Sequence, residues 1–153
     1  MILKLHWTQV DKQPIIMARG EGGEEFGGYY SLLVVDPDAP GSPPPGGGYL
    51  HLYIVNIQCD FKAGQLCKAD GTVILPWTPP SPPPGDGPHR YVTHLVKQQH
   101  FLTPVPSPPA SRVGFAVPED VTRGTVVKLV KCSDGKRMWK MPQAPTQPLS
   151  PTK

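Results

Sequence analysis

Cysteine is too scarce in this chain to build a scaffold. Cys59, Cys67 and Cys132 are its three cysteines, an odd number that cannot all pair within one molecule. None forms a CxxC unit and no histidine stands at zinc-ligand spacing from any of them, which argues against a structural zinc site. Free thiols in a reducing compartment are therefore the expectation. Long hydrophobic runs are also missing, and nothing approaches the ~20 apolar residues needed to cross a bilayer as a helix. The opening MILKLHW has too short an apolar stretch for a secretory signal. These absences together point to a soluble intracellular protein, in the cytoplasm or an organelle.

Charge of either sign is thin: 15 basic and 12 acidic residues leave a net +3. The basic residues are scattered except for Lys128, Lys131, Lys136, Arg137 and Lys140. A nucleic-acid surface calls for a basic stripe interleaved with exposed aromatics. The lysine cluster reads instead as a solvated strand edge that discourages edge-to-edge pairing. No nucleic-acid partner is expected.

What the chain does have is proline (22) and glycine (16), which hold the apolar fraction to 38%. Such a composition fits either disorder or an all-β scaffold with long punctuated loops. The apolar residues decide between them, because they cluster into short β-type runs. A length of 153 residues fits one domain with a worthwhile core. Residues 1–141 are read as that domain. Residues 142–153 (PQAPTQPLSPTK) are read as a tail, disordered or draped on a partner.

Along the chain, residues 2–7 alternate as a strand, with 13–17 as its hairpin partner. Residues 20–28 (GEGGEEFGG) read as a flexible acidic loop. Residues 29–35 form a strand nearly continuous in its apolarity, hence buried on both faces. It stops at Asp36-Pro37-Asp38-Ala39-Pro40, because proline cannot donate to a sheet ladder. Residues 49–57 form a second strand, with His51, Tyr53, Val55 and Ile57 expected on one face and Leu52, Ile54 and Asn56 on the other. A short strand at 72–77 leads into a proline-rich loop, 78–88. Residues 89–97 form a third strong strand, with His89, Tyr91, Thr93 and Leu95 sharing a face. One helical turn is expected within 115–121, a strand at 125–131, and a hairpin turn at Asp134-Gly135 leading to 136–141.

Three strong strands thus carry features of one kind: DPDAP closes the first, His51 opens the second, and His89-Arg90-Tyr91 opens the third. If these strands are neighbours, two imidazoles and two carboxylates converge at one end of the sheet. Imidazole and turn N–H groups donate to phosphate oxygens, and carboxylates fix imidazole tautomers. Each residue also has a plainer reading: Asp before Pro forms turns, and a histidine in a strand is commonly a satisfied core residue.

The order YYSLLVVDPDAP, then Tyr49-x-His51 opening a strand that ends Val55-Asn56-Ile57, then PPPGDGPHRYVTHLV resembles the phosphatidylethanolamine-binding family, which includes the Raf kinase inhibitor proteins and the plant flowering regulators. The resemblance covers about residues 7–99. It implies an antiparallel β-sandwich-like fold, a large sheet packed on a smaller one with at most one or two short helices. It also implies a pocket for phosphate-like anions and the phosphatidylethanolamine head group, lined by Asp36, Asp38, Pro40, Tyr49, His51, Pro83, His89 and Tyr91. In that picture the aspartates orient the histidines, the histidines meet the anion, and the tyrosines supply aromatic wall. The chain departs from the pattern where Gly41-Ser42 replaces the family's Ser-Arg, where Ser81 replaces a glycine, and where Pro88 precedes His89. The family's N-terminal portion and its C-terminal helix are expected to be absent, which would leave the pocket more open.

The resulting expectation is a binding module, not an enzyme, with no cofactor and no metal. Its partners would be an anionic small molecule or phospholipid head group, and proteins such as kinases, with peripheral membrane contact compatible. An alternative is a structural subunit of a larger assembly that has recruited such a domain. A third is a metal-assisted phosphoester hydrolase using His51 and His89; against it, nothing in the sequence supplies a nucleophile paired with a base.

Overall fold

The computed structural model describes residues 2–6, 12–13, 15–19, 26–41, 48–61, 66–68, 70–117, 128–133 and 136–140, with side chains at 12–13, 27–41, 48–59 and 70–117. These residues form nine strands: β1 (Ile2–His6), β2 (Ile15–Arg19), β3 (Phe26–Asp36), β4 (Tyr49–Phe61), β5 (Leu66–Lys68), β6 (Thr72–Leu75), β7 (Arg90–Lys97), β8 (Lys128–Ser133) and β9 (Lys136–Lys140). They make an antiparallel six-stranded sheet in the order β6-β4-β3-β7-β8-β9 and a three-stranded sheet in the order β1-β2-β5. The larger and smaller antiparallel sheets are those expected of the fold. No described helix is long and apolar enough to cross a membrane.

The three strands singled out in the sequence are adjacent, with β3 between β4 and β7. Both pairings are antiparallel, so the end of β3 lies beside the starts of β4 and β7. This is the topological reason that a motif closing one strand meets two motifs that open the others. As its continuous apolarity implied, β3 is buried on both faces: Leu32, Leu33, Val34 and Val35 are all inaccessible. On one face Leu33, Val35 and Leu50 pack with Val117, Tyr53, Leu75 and Phe115.

Several expectations are corrected. Strict alternation fails in β4, which sets 13 residues against the 11 of β3 between the pairs Phe26↔Phe61 and Asp36↔Tyr49. The two extra residues sit in bulges. One is His51, between the pairs Val34↔Leu52 and Val35↔Leu50; the other lies at Val55-Asn56, between Tyr30↔Ile57 and Leu32↔Ile54. Each bulge shifts the side-chain period by one, so Leu52, Ile54 and Ile57 share a face, while Tyr53 joins Leu50 on the other.

The acidic glycine loop ends earlier than expected, since Phe26, Gly27 and Gly28 already pair with β4. Phe115 bridges Gly48 through two main-chain hydrogen bonds of 2.8 and 2.9 Å. The helical turn expected from Pro118, the Asp134-Gly135 turn and the proline-rich tail lie outside the described residues. Cys59 is not a free thiol but is disulfide-bonded. An odd cysteine count excludes full pairing, not one bond.

The second bulge is pinned by a polar network. Asn56 has a φ of 58°, in the left-handed region that asparagine tolerates better than most residues. Its main-chain N–H donates to Gln98 Oε1 at 2.8 Å. Its side-chain Oδ1 accepts from Gln98 Nε2 (3.0 Å) and Leu102 N (2.8 Å), and its Nδ2 donates to Leu102 O (3.0 Å). Asn56 thus ties the chain that leaves β7 back onto β4. Asn56→Ala is expected to lower unfolding free energy by about 3 kcal/mol, and Asn56→Gly, which keeps the backbone geometry and loses the bonds, by about 2 kcal/mol. Urea denaturation of the two variants beside wild type measures both losses and their order.

Candidate functional site

Asp36 is the last residue of β3, where Pro37 ends the ladder, and it is buried. Its Oδ2 meets His89 Nδ1 at 2.7 Å, and its Oδ1 accepts the main-chain N–H of Asp38 at 2.9 Å. Both oxygens of an otherwise costly buried carboxylate are thereby engaged. His89, at the threshold of β7, is 2% exposed. Its second nitrogen, Nε2, faces Asp86 Oδ2 at 3.3 Å.

A ring flanked by two carboxylates is stabilised as the imidazolium, with both N–H groups donating. Burial opposes the charge, but the hydrogen bonds and fields of Asp36 and Asp86 outweigh it and hold the His89 pKa above its ordinary 6.5.

His51 stands two residues after Tyr49, the partner of Asp36, so ordinary alternation sets both on Asp36's side of the sheet. The bulge at His51 then turns Tyr53, not His51, to the opposite face with Leu50. The His51 ring lies 4.7 Å from that of Tyr49 and 5.1 Å, edge-on, from that of Tyr91. Trp77 stacks obliquely at 5.8 Å. His51 Nδ1 lies 2.6 Å from Thr78 O, and Thr78 N donates back to His51 O at 2.9 Å. A carbonyl only accepts, so Nδ1 carries the proton and Nε2 of the neutral ring is an acceptor. Burial is the main reason the His51 pKa falls below 6.5, against support from Thr78 and Asp36; the charges of Arg112 and His89 push the same way as burial.

The two rings border a cavity of about 270 Å³. Asp36, Pro40, Tyr49, His51, Pro83 and His89, all expected at the site, line it, with Ala39, Pro79, Ser81 and Val113 completing an apolar rim. Asp38 and Tyr91 do not line it. The Asp38 carboxylate orients no histidine but takes the Arg90 guanidinium in a forked pair (2.7–3.1 Å) and the Arg90 main-chain N–H at 2.6 Å. That pairing lowers the Asp38 pKa. Tyr91 is buried behind His51. Of two imagined His–Asp pairs, one is present; the other histidine is held by a main-chain carbonyl.

Sequence reasoning missed Thr78, Asp86 and Arg112. Thr78 acts through its backbone, which no side-chain motif reveals. Asp86 stands between two glycines in GDG, and its position three residues before His89 is the signal that could have found it. Arg112 donates to Leu50 O (3.0 Å), His51 O (3.2 Å) and Pro76 O (2.8 Å). It therefore brings a cation beside His51 without a carboxylate partner among the described residues. No cluster of three or more potential metal ligands occurs among the described residues.

The comparisons with known proteins agree with this architecture. The family model described as "Phosphatidylethanolamine-binding protein" matches residues 3–133, and the chain belongs to that family. It is 34% identical over 97 residues to Protein TWIN SISTER of FT from Arabidopsis thaliana, covering 63% of this chain and 50% of the relative. To Protein MOTHER of FT and TFL1 homolog 2 from Oryza sativa subsp. japonica it is 32% identical over 110 residues, 71% of this chain and 57% of the relative. To CEN-like protein 1 from Nicotiana tabacum it is 36% identical over 86 residues, 56% and 46% respectively. The chain spans about half the length of these curated relatives.

The two imidazoles should titrate apart. In an NMR titration His89 is expected above 6.5 and His51 below it, and Asp36→Asn should bring His89 down. The raised pKa of His89 contributes stability that is complete below the unfolded value near 6.5 and is lost as pH rises through its folded value. His51 and His94, both lowered by burial, work in the opposite sense. The informative quantity is therefore the stability gap between wild type and Asp36→Asn, expected to be widest in mild acid and to narrow as His89 deprotonates. Denaturant titrations across that window check it.

Proposed function

We propose that this chain is a binding module whose cavity takes a phosphate-type anion, such as the head group of phosphatidylethanolamine, and which acts through protein partners. The observation that carries the reading is the pair of buried imidazoles, one bonded to the Asp36 carboxylate, at the wall of a cavity of about 270 Å³. That cavity is of head-group size, and its apolar proline rim suits a ligand with a charged end and an apolar continuation. Arg112, held by main-chain carbonyls and without a carboxylate partner among the described residues, adds positive charge behind His51, favouring an anion. Family membership supports both the ligand class and the regulatory role, since phosphatidylethanolamine is the ligand in the family's own description.

Binding rather than catalysis fits the hydrogen bonds. The described partners of the two imidazoles are carboxylates and a carbonyl, not a hydroxyl or thiol that a ring could activate.

Thermal unfolding with and without phosphate or phosphoethanolamine, at fixed ionic strength, tests the proposal. Ligand at a hundredfold its Kd should stabilise wild type by about 2.7 kcal/mol, a rise in Tm of roughly 5–10 °C for a chain of this size. His89→Ala should show no such rise. Equal behaviour of the two proteins would remove the anion from this cavity.

A further inference from the structure

Resting on the anion-pocket reading, we propose that Asp86 is a built-in competitor for the anion: its carboxylate caps His89 Nε2 at the edge of the pocket and is displaced when a phosphate-type ligand binds.

The donors of the site are already spoken for. His51 spends its Nδ1 proton on Thr78 O, which leaves a lone pair at Nε2. His89 spends Nδ1–H on Asp36. The imidazole N–H best suited to meet an anion is therefore His89 Nε2–H, and it points at Asp86 Oδ2, 3.3 Å away. Asp86 occupies the electrostatic role of the ligand.

The two carboxylates on His89 are built differently. The Asp36 side chain is 5% exposed and its contact is 2.7 Å; the Asp86 side chain is 42% exposed and its contact is longer. A half-exposed ion pair is worth little and exchanges readily with solvent or a stronger anion. Asp36 is thus a fixed orienter and Asp86 a loose cap.

The loop suits that role. Asp86 lies between Gly85 (φ 84°) and Gly87 (φ 80°), both in backbone conformations open mainly to glycine. A Cβ built on either glycine would meet nothing within 4 Å, so neither is wedged against the body of the protein. The turn is closed by Asp86 N on Pro83 O at 3.2 Å. A small change at the two glycines swings the carboxylate off His89 without disturbing packed side chains.

Charge balance gives the cap its consequence. Asp38 and Arg90 cancel each other at the rim. The His89 imidazolium and Asp36 cancel inside it. Arg112 and Asp86 remain among the described charges beside the two histidines, just outside the cavity lining, so removing the Asp86 carboxylate shifts the local balance toward positive.

Titration calorimetry of wild type, Asp86→Asn and Asp86→Ala at fixed ionic strength, in mild acid so that His89 keeps its Nε2 proton without help from Asp86, tests the cap. Inorganic phosphate is one probe and glycerophosphoethanolamine, a lipid head group without its chains, the other. Asp86→Ala should bind between about fivefold and tenfold tighter than wild type, with Asp86→Asn between them. A gain confined to one probe identifies the source of the anion. Imidazole-tuned 1H–15N spectra supply a readout that needs no ligand: the His89 Nε2 resonance should shift in Asp86→Ala while that of Nδ1 stays.

An unmoved Nε2 resonance would overturn the cap, as would equal or weaker binding by Asp86→Ala when wild type binds. If all three proteins are folded and none binds either probe, the anion-pocket reading itself falls, and the cap with it.

Discussion

A buried carboxylate and a buried imidazolium are each costly to keep away from water, and each makes the other tolerable. In this fold Asp36 and His89, at 2.7 Å, stand within a few residues of where three strands end or begin. The pair does more than satisfy two side chains. It joins the end of β3 to the residue that enters β7, while the Asp38–Arg90 fork makes the same connection one step nearer the surface. Breaking Asp36 from His89 would leave an uncompensated charge where the sheet changes from ladder to loop.

Around that pair, geometry is set by departures from regular strand structure. A β4 with strict alternation would keep Tyr53 on the same face as Tyr49 and His51. The extra residue of the bulge sends Tyr53 to the apolar cluster of the opposite face, while His51 stays at the cavity between Tyr49 and Tyr91. A close approach supports the turn: a Cβ on Gly48 would collide with the main-chain oxygen of Asp36, so glycine is needed for the chain to return to β4 this near the site. Arg112 then fastens the segment after β7 onto the carbonyls of Leu50 and His51, fixing the irregular stretch from outside. Glycine and arginine serve one constraint, that two histidines from different strands reach one cavity, and the bulge clears Tyr53 from that face.

Much of this was legible in the residues. A nearly continuous apolar run located β3, because a strand buried on both faces needs no alternation, and strand-type runs read with alternating faces located β4 and β7. The motifs DPDAP, Tyr49-x-His51 and His89-Arg90-Tyr91 marked which ends converge. What escaped was anything carried by the backbone or by register. A bulge leaves no mark in composition, so the faces of β4 were misassigned from His51 onward. Nor does composition show that Phe115 bridges Gly48 by two main-chain hydrogen bonds. The disulfide at Cys59 could not be inferred from three cysteines without the topology. Nor did spacing alone reveal that Asp38 would be taken by Arg90, two strands' ends apart.

The electrostatics of the cavity follow from which nitrogens are free, and the answer differs for the two rings. His51 is desolvated and bonded to a carbonyl, so it is held neutral with its acceptor nitrogen available. Carboxylates facing both nitrogens of His89 push its pKa above 6.5. One ring therefore keeps a lone pair at Nε2 while the other has both nitrogens engaged, at the same wall of the same cavity. The two histidines are pushed toward opposite protonation states by a carbonyl and burial on one and carboxylates on the other, without any base-and-nucleophile pairing among their described partners.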